Sequence, residues 1–278
     1  MFNYKDIGQR IVLLRKEKSY TQEQLGVLLN VTPQAVSKWE NGNALPDTAM
    51  LPLLAKILEV SIDRLLTGNN LMEKASPYDD EYEKAQYYWG LKHSLLAEQV
   101  VKIMPVRIDE GKRLLDIGSG EGRDSIYFAK CGFKVDSLEL SVHGIEKIKQ
   151  YCQSAECTVN TLNVNMIGYE FTDLYDVIYS MGSLQFLPLE QRQKHFEKYK
   201  RQTCDGGLNA HLVFVEKPFI KIAPDWDRNE FYYLSGDLAR YYYNWDIIQC
   251  EERIIDCNSA DIPHQHAVNY IIARKMDS

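Results

Sequence analysis

The residues whose types and spacing suggest chemistry are Asp116, Gly118, Gly120 and Gly122, set in the stretch Leu114–Ser125, LLDIGSGEGRDS. An apolar run ends in an acid, and a glycine-rich turn then leads into a helix. Glycine lets a backbone approach a ligand closely and adopt positive φ without steric cost. A strand–turn–helix of this kind puts a ligand at the carboxyl edge of a parallel sheet. The spacing is D-x-G-x-G-x-G, so the last glycine falls one residue earlier than in the dinucleotide fingerprint G-x-G-x-x-G. No lysine followed by Ser or Thr is present here, as a phosphate-binding loop would need. A second acid, Glu139, lies 23 residues past Asp116. An acid about 20 residues on, at the end of the second strand, bonds ribose hydroxyls. Asp136 is the rival, but it sits mid-strand, and Ser141 opening a helix favours Glu139.

These residues resemble the nucleotide-binding turn of the class I S-adenosylmethionine-dependent methyltransferases. The resemblance implies S-adenosylmethionine as cofactor, held by Asp116, Gly118, Ser119, Gly120, Gly122, Glu139 and Leu140. Adenine recognition would fall after the third strand, Cys157–Val164, at Asn165 and Met166. Asn165 can accept through its amide oxygen without a charge, and Asn163 is the alternative. The fourth strand, YDVIYS, ends at Ser180-Met181-Gly182, where backbone groups would line the methyl-transfer site. A fifth strand is expected over Leu208–Glu216, after a turn at Cys204–Gly207. Repeated strand–helix alternation implies a parallel sheet. The apolar runs Trp245–Ile255 and Ala267–Ala273, with no long helix between them, fit an antiparallel closing pair.

Within that superfamily, GEGRDSIYFAK, FTDLYDVIYSMGSLQFLP, LARYYYNWDI and IIARK resemble the tellurite-resistance methyltransferases, over roughly 89–275. The resemblance implies small nucleophilic acceptors, tellurium and selenium oxyanions among them. The histidine followed by arginine found in some members is absent, and Ile255-Asp256 stand in that region. Arg123, His264 and His266 are the catalytic candidates. Arginine is a planar donor suited to oxyanions. Histidine bonds an anion or takes a proton near neutral pH. Alternation puts both histidines on one face if their stretch is extended. The alternatives are that Arg123 pairs with an acid or caps a sheet edge, and that the histidine run only satisfies a turn. The aromatic insertion Lys217–Tyr243, with Trp226, Phe231, Tyr232, Tyr233 and Tyr241–Tyr243, either caps the acceptor pocket or is core.

These residues need elements to position them, and the chain before them reads differently. Ile7, Ile11 and Leu14 recur at helical spacing over about 4–18. Thr21-Gln-Glu-Gln24 is a capping box opening a short helix with Leu25, Leu28 and Leu29 on one face. Thr32-Pro33 starts a second helix that stops at Asn41-Gly42. Asp47–Leu58 and Ser61–Leu66 read as two more helices. Two short helices joined by a tight turn in a helical bundle describe a helix-turn-helix. The runs TQEQL and VSKWENG resemble the phage-repressor-like, or xenobiotic-response-element, family over about 7–66. Val36 and Trp39 should face the bundle, leaving Gln34, Ser37 and Lys38 outward to read bases in the major groove. By resemblance, Gln22 and Asn41 would grip phosphate. DNA is the partner implied, bound by a homodimer on two half-sites.

Tyr82–Met104 is expected as a leading helix over the cofactor, with Tyr88, Trp89 and His93 as a lid or as core. The domains expected are 1–68, the helix-turn-helix; 69–104, a linker and leading helix; and 105–278, the methyltransferase domain. The fold class is α/β: an all-α bundle followed by a Rossmann-like domain, its mostly parallel sheet closed by an antiparallel hairpin.

Composition bounds these readings. The 278 residues are 45% hydrophobic and 26% charged, with net charge −7. Residues 1–70 hold 8 basic and 7 acidic side chains, whereas 71–278 hold 24 and 32. The acidic second part is a poor general binder of nucleic acid, and no N-P-P-Y-type motif points to DNA methylation. No apolar run reaches membrane length, and MFNYKDIGQR lacks a signal core. The six cysteines form no C-x-x-C pair, so scattered packing thiols, no metal and a cytoplasmic protein are expected, with a metal or redox pair as the alternative. Two functions follow: methylation of a small molecule under a DNA-binding regulator, or a regulator that only senses the cofactor or a small ligand.

Overall fold

A computed structural model describes residues 4–18, 20–60, 62–67, 76–107, 110–223, 230–257 and 262–276. The chain divides into two compact units, Met1–Lys74 and Ala75–Ser278.

The first unit is helical. Helix α1 (Tyr4–Glu17) buries Ile7, Ile11 and Leu14. Helix α2 (Gln22–Leu29) starts on a full capping box, Thr21 Oγ1 accepting from Gln24 N and Gln24 Oε1 from Thr21 N. Asn30 turns the chain at φ 56°. Helix α3 (Pro33–Glu40) follows, capped by Thr32, and buries Val36 and Trp39 as the spacing predicts. Leu28 departs from expectation: it is 47% exposed, while Leu25, Gly26 and Leu29 are buried. Gly26 draws its own side of α2 inward, because a Cβ there would lie 2.9 Å from Val31 O. Helix α4 (Leu51–Ile57) begins later than the expected Asp47, whose carboxylate takes Ala49 N and holds a turn instead. Helix α5 spans Ile62–Thr67, and Ser61 lies outside the described residues.

In the second unit the expected helix Tyr82–Met104 is broken. It becomes α6 (Asp79–Glu83), a turn-rich strap over 84–93, and α7 (Leu95–Ile103). Two local signals break it. Gly90 sits at φ 70°, and Ser94 caps a fresh helix by accepting Ala97 N.

The sheet contains β1 (Arg113–Ile117), β2 (Lys134–Glu139), β3 (Val159–Asn163), β4 (Tyr175–Met181), β5 (Thr203–Val215), β6 (Asp246–Cys257) and β7 (His264–Arg274). Helices α8 (Arg123–Lys130), α9 (Val142–Ala155), α10 (Leu189–Arg201) and α11 (Asp237–Tyr241) connect them. The order is β3-β2-β1-β4-β5-β7-β6. The first five strands pair in parallel, and β7 runs antiparallel to both β5 and β6. The turn expected at Cys204–Gly207 lies inside β5, as an irregularity opposite Tyr175 and Val177, with Gly206 at φ 73°.

Alternation sends neighbouring side chains to opposite cores. Leu114 and Tyr179 join Phe128 and Val100 on one face, while Leu115, Ile117 and Ile178 join Phe196 on the other. The aromatic insertion belongs largely to this second core. Tyr233, Tyr241 and Tyr242 are buried there, and Tyr241 stacks on Phe196 at 4.1 Å. These three are core residues, whereas Phe231 and Tyr243 are exposed and Tyr232 is half-buried; Trp226 lies outside the described residues. No described helix is long and apolar enough to cross a membrane.

Candidate active site

The break in strand order between β1 and β4 makes a crevice at the carboxyl ends of the parallel strands, where open α/β sheets bind ligands. The glycine turn borders it. Gly118 and Ser119 both donate their N–H to Leu138 O, at 2.8 and 3.0 Å. Gly120 N donates to Glu139 Oε2 at 2.7 Å, and Ser141 N to Glu139 Oε1 at 2.7 Å. The N–H groups that a phosphate loop would aim at an anion are thus already satisfied. Gly118, at φ 70°, packs so closely on Ser183 that a Cβ would come within 2.4 Å of its side chain.

Two buried carboxyls mark this edge. Burial pushes Glu139 up to about 7, against the pull of the Ser141 and Gly120 N–H groups. Burial pushes Asp116 to about 7 as well, against the hydroxyl of Ser125, which donates to it at 2.6 Å. Asp116 therefore ties β1 to the first turn of α8. Asp136, the rival to Glu139, is a mid-strand anchor, accepting from Arg113, Asn160 and Tyr175. A sheet edge with two buried carboxyls, its N–H groups used internally, suits a cationic nucleoside better than a phosphate ester. The residues present fit S-adenosylmethionine on this ground. A carboxylate offers about four lone-pair positions, so Glu139 can keep both N–H bonds and still accept from a ribose.

The strap lies over the turn. A Cβ on Gly120 would meet the Tyr82 hydroxyl at 2.9 Å and Trp89 at 3.8 Å. Trp89 Nε1 donates to that hydroxyl at 2.9 Å. Glu121 accepts from Trp89 N and pairs with Lys147 at 2.6 Å, and both charges are buried. Lys147 also donates to Gln86 O. Of the expected lid residues, Trp89 is in place and Tyr88 packs on its ring at 4.7 Å. His93 is elsewhere, stacked at 3.8 Å on Tyr127 of α8. Tyr82, read only as the first residue of a helix, puts its hydroxyl against Gly120.

The remaining cofactor candidates divide. Asn165 Oδ1 accepts from Ile167 N at 2.9 Å, closing its own turn. Asn163 donates to Glu139 O and Leu140 O and so fixes the end of β2. Met166 packs partly buried against the second core, and Met181 against the first. Ser180 faces inward, its hydroxyl 3.1 Å from His211 Nδ1. The Ser180 side chain is thus committed to the core. Just beyond, Gln185 is 1% exposed and donates to Gly182 O at 2.6 Å, while its buried Oε1 has no partner among the described residues. A buried acceptor with nothing to accept is costly, and here it sits beside the end of β4. Nothing in the sequence distinguished this glutamine, since the orphan atom exists only through packing.

The three catalytic candidates are not brought together. Arg123 donates to Trp89 O and bolts the strap to α8. His264 and His266 begin β7, their Nε2 atoms 2.9 Å apart, on one face as alternation predicts. Between β1 and β7 lie β4 and β5, a lateral offset of roughly 14 Å at the usual strand spacing.

In the first unit Gln34 and Lys38 are exposed on α3, and Ser37 is half-buried. Gln22 donates to Glu40 at 2.7 Å, and Glu40 is also gripped by Arg15. Asn41 is exposed but folds its amide back onto Ser37 O at 2.9 Å.

Comparison with known proteins agrees with this architecture. The sequence model described as tellurite resistance protein TehB matches residues 78–266, and a helix-turn-helix model matches residues 11–65. The probable S-adenosyl-L-methionine-dependent methyltransferase TehB of Haemophilus influenzae is 21% identical over 180 residues, 65% of this chain and 62% of that protein. The chain thus spans less than two thirds of that relative's length. The HTH-type transcriptional activator BcrR of Enterococcus faecalis is 39% identical over 70 residues, 25% of this chain and 34% of that protein. The crystal structure of TehB from Haemophilus influenzae shares the fold, with TM-score 0.58 at 19% identity, over 71% of this chain and 65% of that one. With well over half of its residues matched by that family's model, and a helix-turn-helix domain ahead of them, the chain belongs to the TehB tellurite-resistance protein family.

Proposed function

We propose that the second unit is an S-adenosylmethionine-dependent methyltransferase for small nucleophiles, joined to a first unit that binds DNA and regulates transcription. The observation that carries the enzymatic reading is Glu139, a buried carboxylate at the end of β2 in contact with the glycine turn. Gly118, Ser119, Gly120, Gly122, Glu139 and Leu140 would hold the cofactor, with Asp116 keeping the turn in place. Asn165 and Met166 would border its base, and Ser180 and Met181 its reacting end. When bound, the cofactor supplies a methyl group made electrophilic by its sulfonium. The protein's own task is then positioning and exclusion of water. Glu139 accepts from ribose, Tyr82 and Trp89 shield the turn, and the orphan Oε1 of Gln185 accepts from an incoming group. His264 and His266 belong to the acceptor side, at the far end of the same sheet edge. The expected acceptors are selenite, tellurite or small thiols.

For the first unit, Gln34 and Lys38 would meet base edges and phosphate, with Ser37, Gln22 and Asn41 at the margins, as a homodimer on two half-sites. No disulfide joins any of the six cysteines, which fits a reducing cytoplasm.

Calorimetry tests the cofactor reading. Glu139→Ala should weaken S-adenosylmethionine at least ~10-fold, since hydrogen bonds to charged groups contribute ~1.5–3 kcal/mol. Unchanged affinity in the folded variant would put the ribose acceptor elsewhere.

A further inference from the structure

The end of the β6–β7 hairpin gathers a thiol and two imidazoles. Cys257 closes β6, His264 opens β7, and the two are directly paired across the ladder, with His266 two residues on. One ligand atom from each lies within 4.8 Å of the others. The two Nε2 atoms are 2.9 Å apart, and the rings meet edge to face, 83° between their planes. His264 Nδ1 lies 2.7 Å from Ile262 O. That carbonyl can only accept, so Nδ1 is the donor; in the neutral ring Nε2 then holds the lone pair and accepts from His266 Nε2, whose proton shifts to its other ring nitrogen when a metal binds. A backbone carbonyl fixing the tautomer in this way is the outer support typical of metal-bound histidine. His266 is itself buried, with its ring against Phe214 at 4.7 Å.

We propose that Cys257, His264 and His266 form a binding site for a borderline-soft divalent ion of the zinc type. One thiolate and two imidazoles suit zinc, and they do not suit magnesium or calcium, which take oxygen ligands. In a tetrahedral site with bonds of about 2.0–2.3 Å, neighbouring ligand atoms sit roughly 3.3–3.6 Å apart. The imidazoles therefore need to part by a few tenths of an ångström, and the thiol to close by no more than about 1.5 Å. Side-chain rotation supplies both without moving the paired backbone. Three protein ligands leave a fourth position open, as in zinc sites that also hold water or a small ligand. The sequence conceals this site because its ligands come from two strands and meet only through the register. It does not depend on methyl transfer.

The test uses the full chain, reduced, stripped with a chelator and titrated with cobalt(II) and then zinc. One cobalt per chain should bind with a thiolate-to-metal charge-transfer band, and one equivalent of zinc should remove that band. Cys257→Ser should abolish the band, whereas Cys204→Ser should leave it intact. Loss of a supporting partner alone typically costs 10–100-fold in metal affinity, so His264→Gln and His266→Gln should each lose at least ~100-fold. A wild-type protein without the band would overturn the proposal, whatever the variants do. So would a band that survives Cys257→Ser, or zinc affinity unchanged in both histidine variants.

Discussion

At the scale of single residues, Glu139 and Gln185 carry the account, and they do so for opposite reasons. Burial raises the Glu139 carboxyl to about 7. A raised carboxyl contributes its stability fully below the ordinary value near 4.5, and that contribution is lost as pH rises through about 7. A cationic ligand reverses the balance, because it favours the charged carboxylate. Cofactor affinity should therefore rise ~10-fold between about pH 6 and pH 8, with proton release detectable by calorimetry in buffers of different ionisation enthalpy. Glu139→Gln should flatten most of that slope, with the remainder left to Asp116, whose carboxyl is raised in the same way. Affinity independent of pH in the wild type would contradict this. Gln185 is an acceptor without a donor. Gln185→Leu should lower kcat/KM for the acceptor at least ~10-fold while cofactor affinity stays constant; equal loss in both would mean a structural role. Glu139 was legible in the sequence because a strand-end acid has a fixed distance from the glycine turn. Gln185 was not, because an orphaned atom is a property of neighbours distant in the chain.

At the scale of elements, the strap is the part that periodicity misread. The aromatic run before Gly90 sustains a helical pattern, yet Gly90 at positive φ and the Ser94 cap end it locally. The buried Glu121–Lys147 pair holds the strap down. Removing one partner of such a pair costs about 3–5 kcal/mol. Glu121→Ala should lower the thermal midpoint and speed proteolysis within residues 84–93; unchanged protection would mean that the aromatic contacts suffice. Helix α3 was legible almost to the residue, since its cap, its proline and its stop are all local signals. Its exposed Gln34 and Lys38 lead to a matched prediction. Gln34→Ala should relax base choice at one position, costing ~1–3 kcal/mol. Lys38→Ala should weaken all sequences and shallow the salt dependence. Selection from a random pool followed by salt titration reads both, and a pool with no binder above background would exclude a DNA reader.

At the scale of the whole molecule, each unit has its own apolar core, and the charge is uneven between them. The strand order places the glycine turn and Glu139 on one side of the crevice, and the end of β4 with Gln185 on the other. That arrangement followed from the alternation of strand and helix patterns in the sequence. Which side chains fill the edge did not, since the aromatic insertion entered the core while Arg123 went to the strap. The most direct measurement is S-adenosylhomocysteine release by the intact chain supplied with selenite, tellurite or a small thiol. Release should depend on the acceptor and fall at least ~10-fold in a folded Glu139→Ala variant. A folded wild-type chain that binds S-adenosylmethionine yet releases no S-adenosylhomocysteine with any of these acceptors would contradict it, and would leave a regulator that senses the cofactor without turning it over.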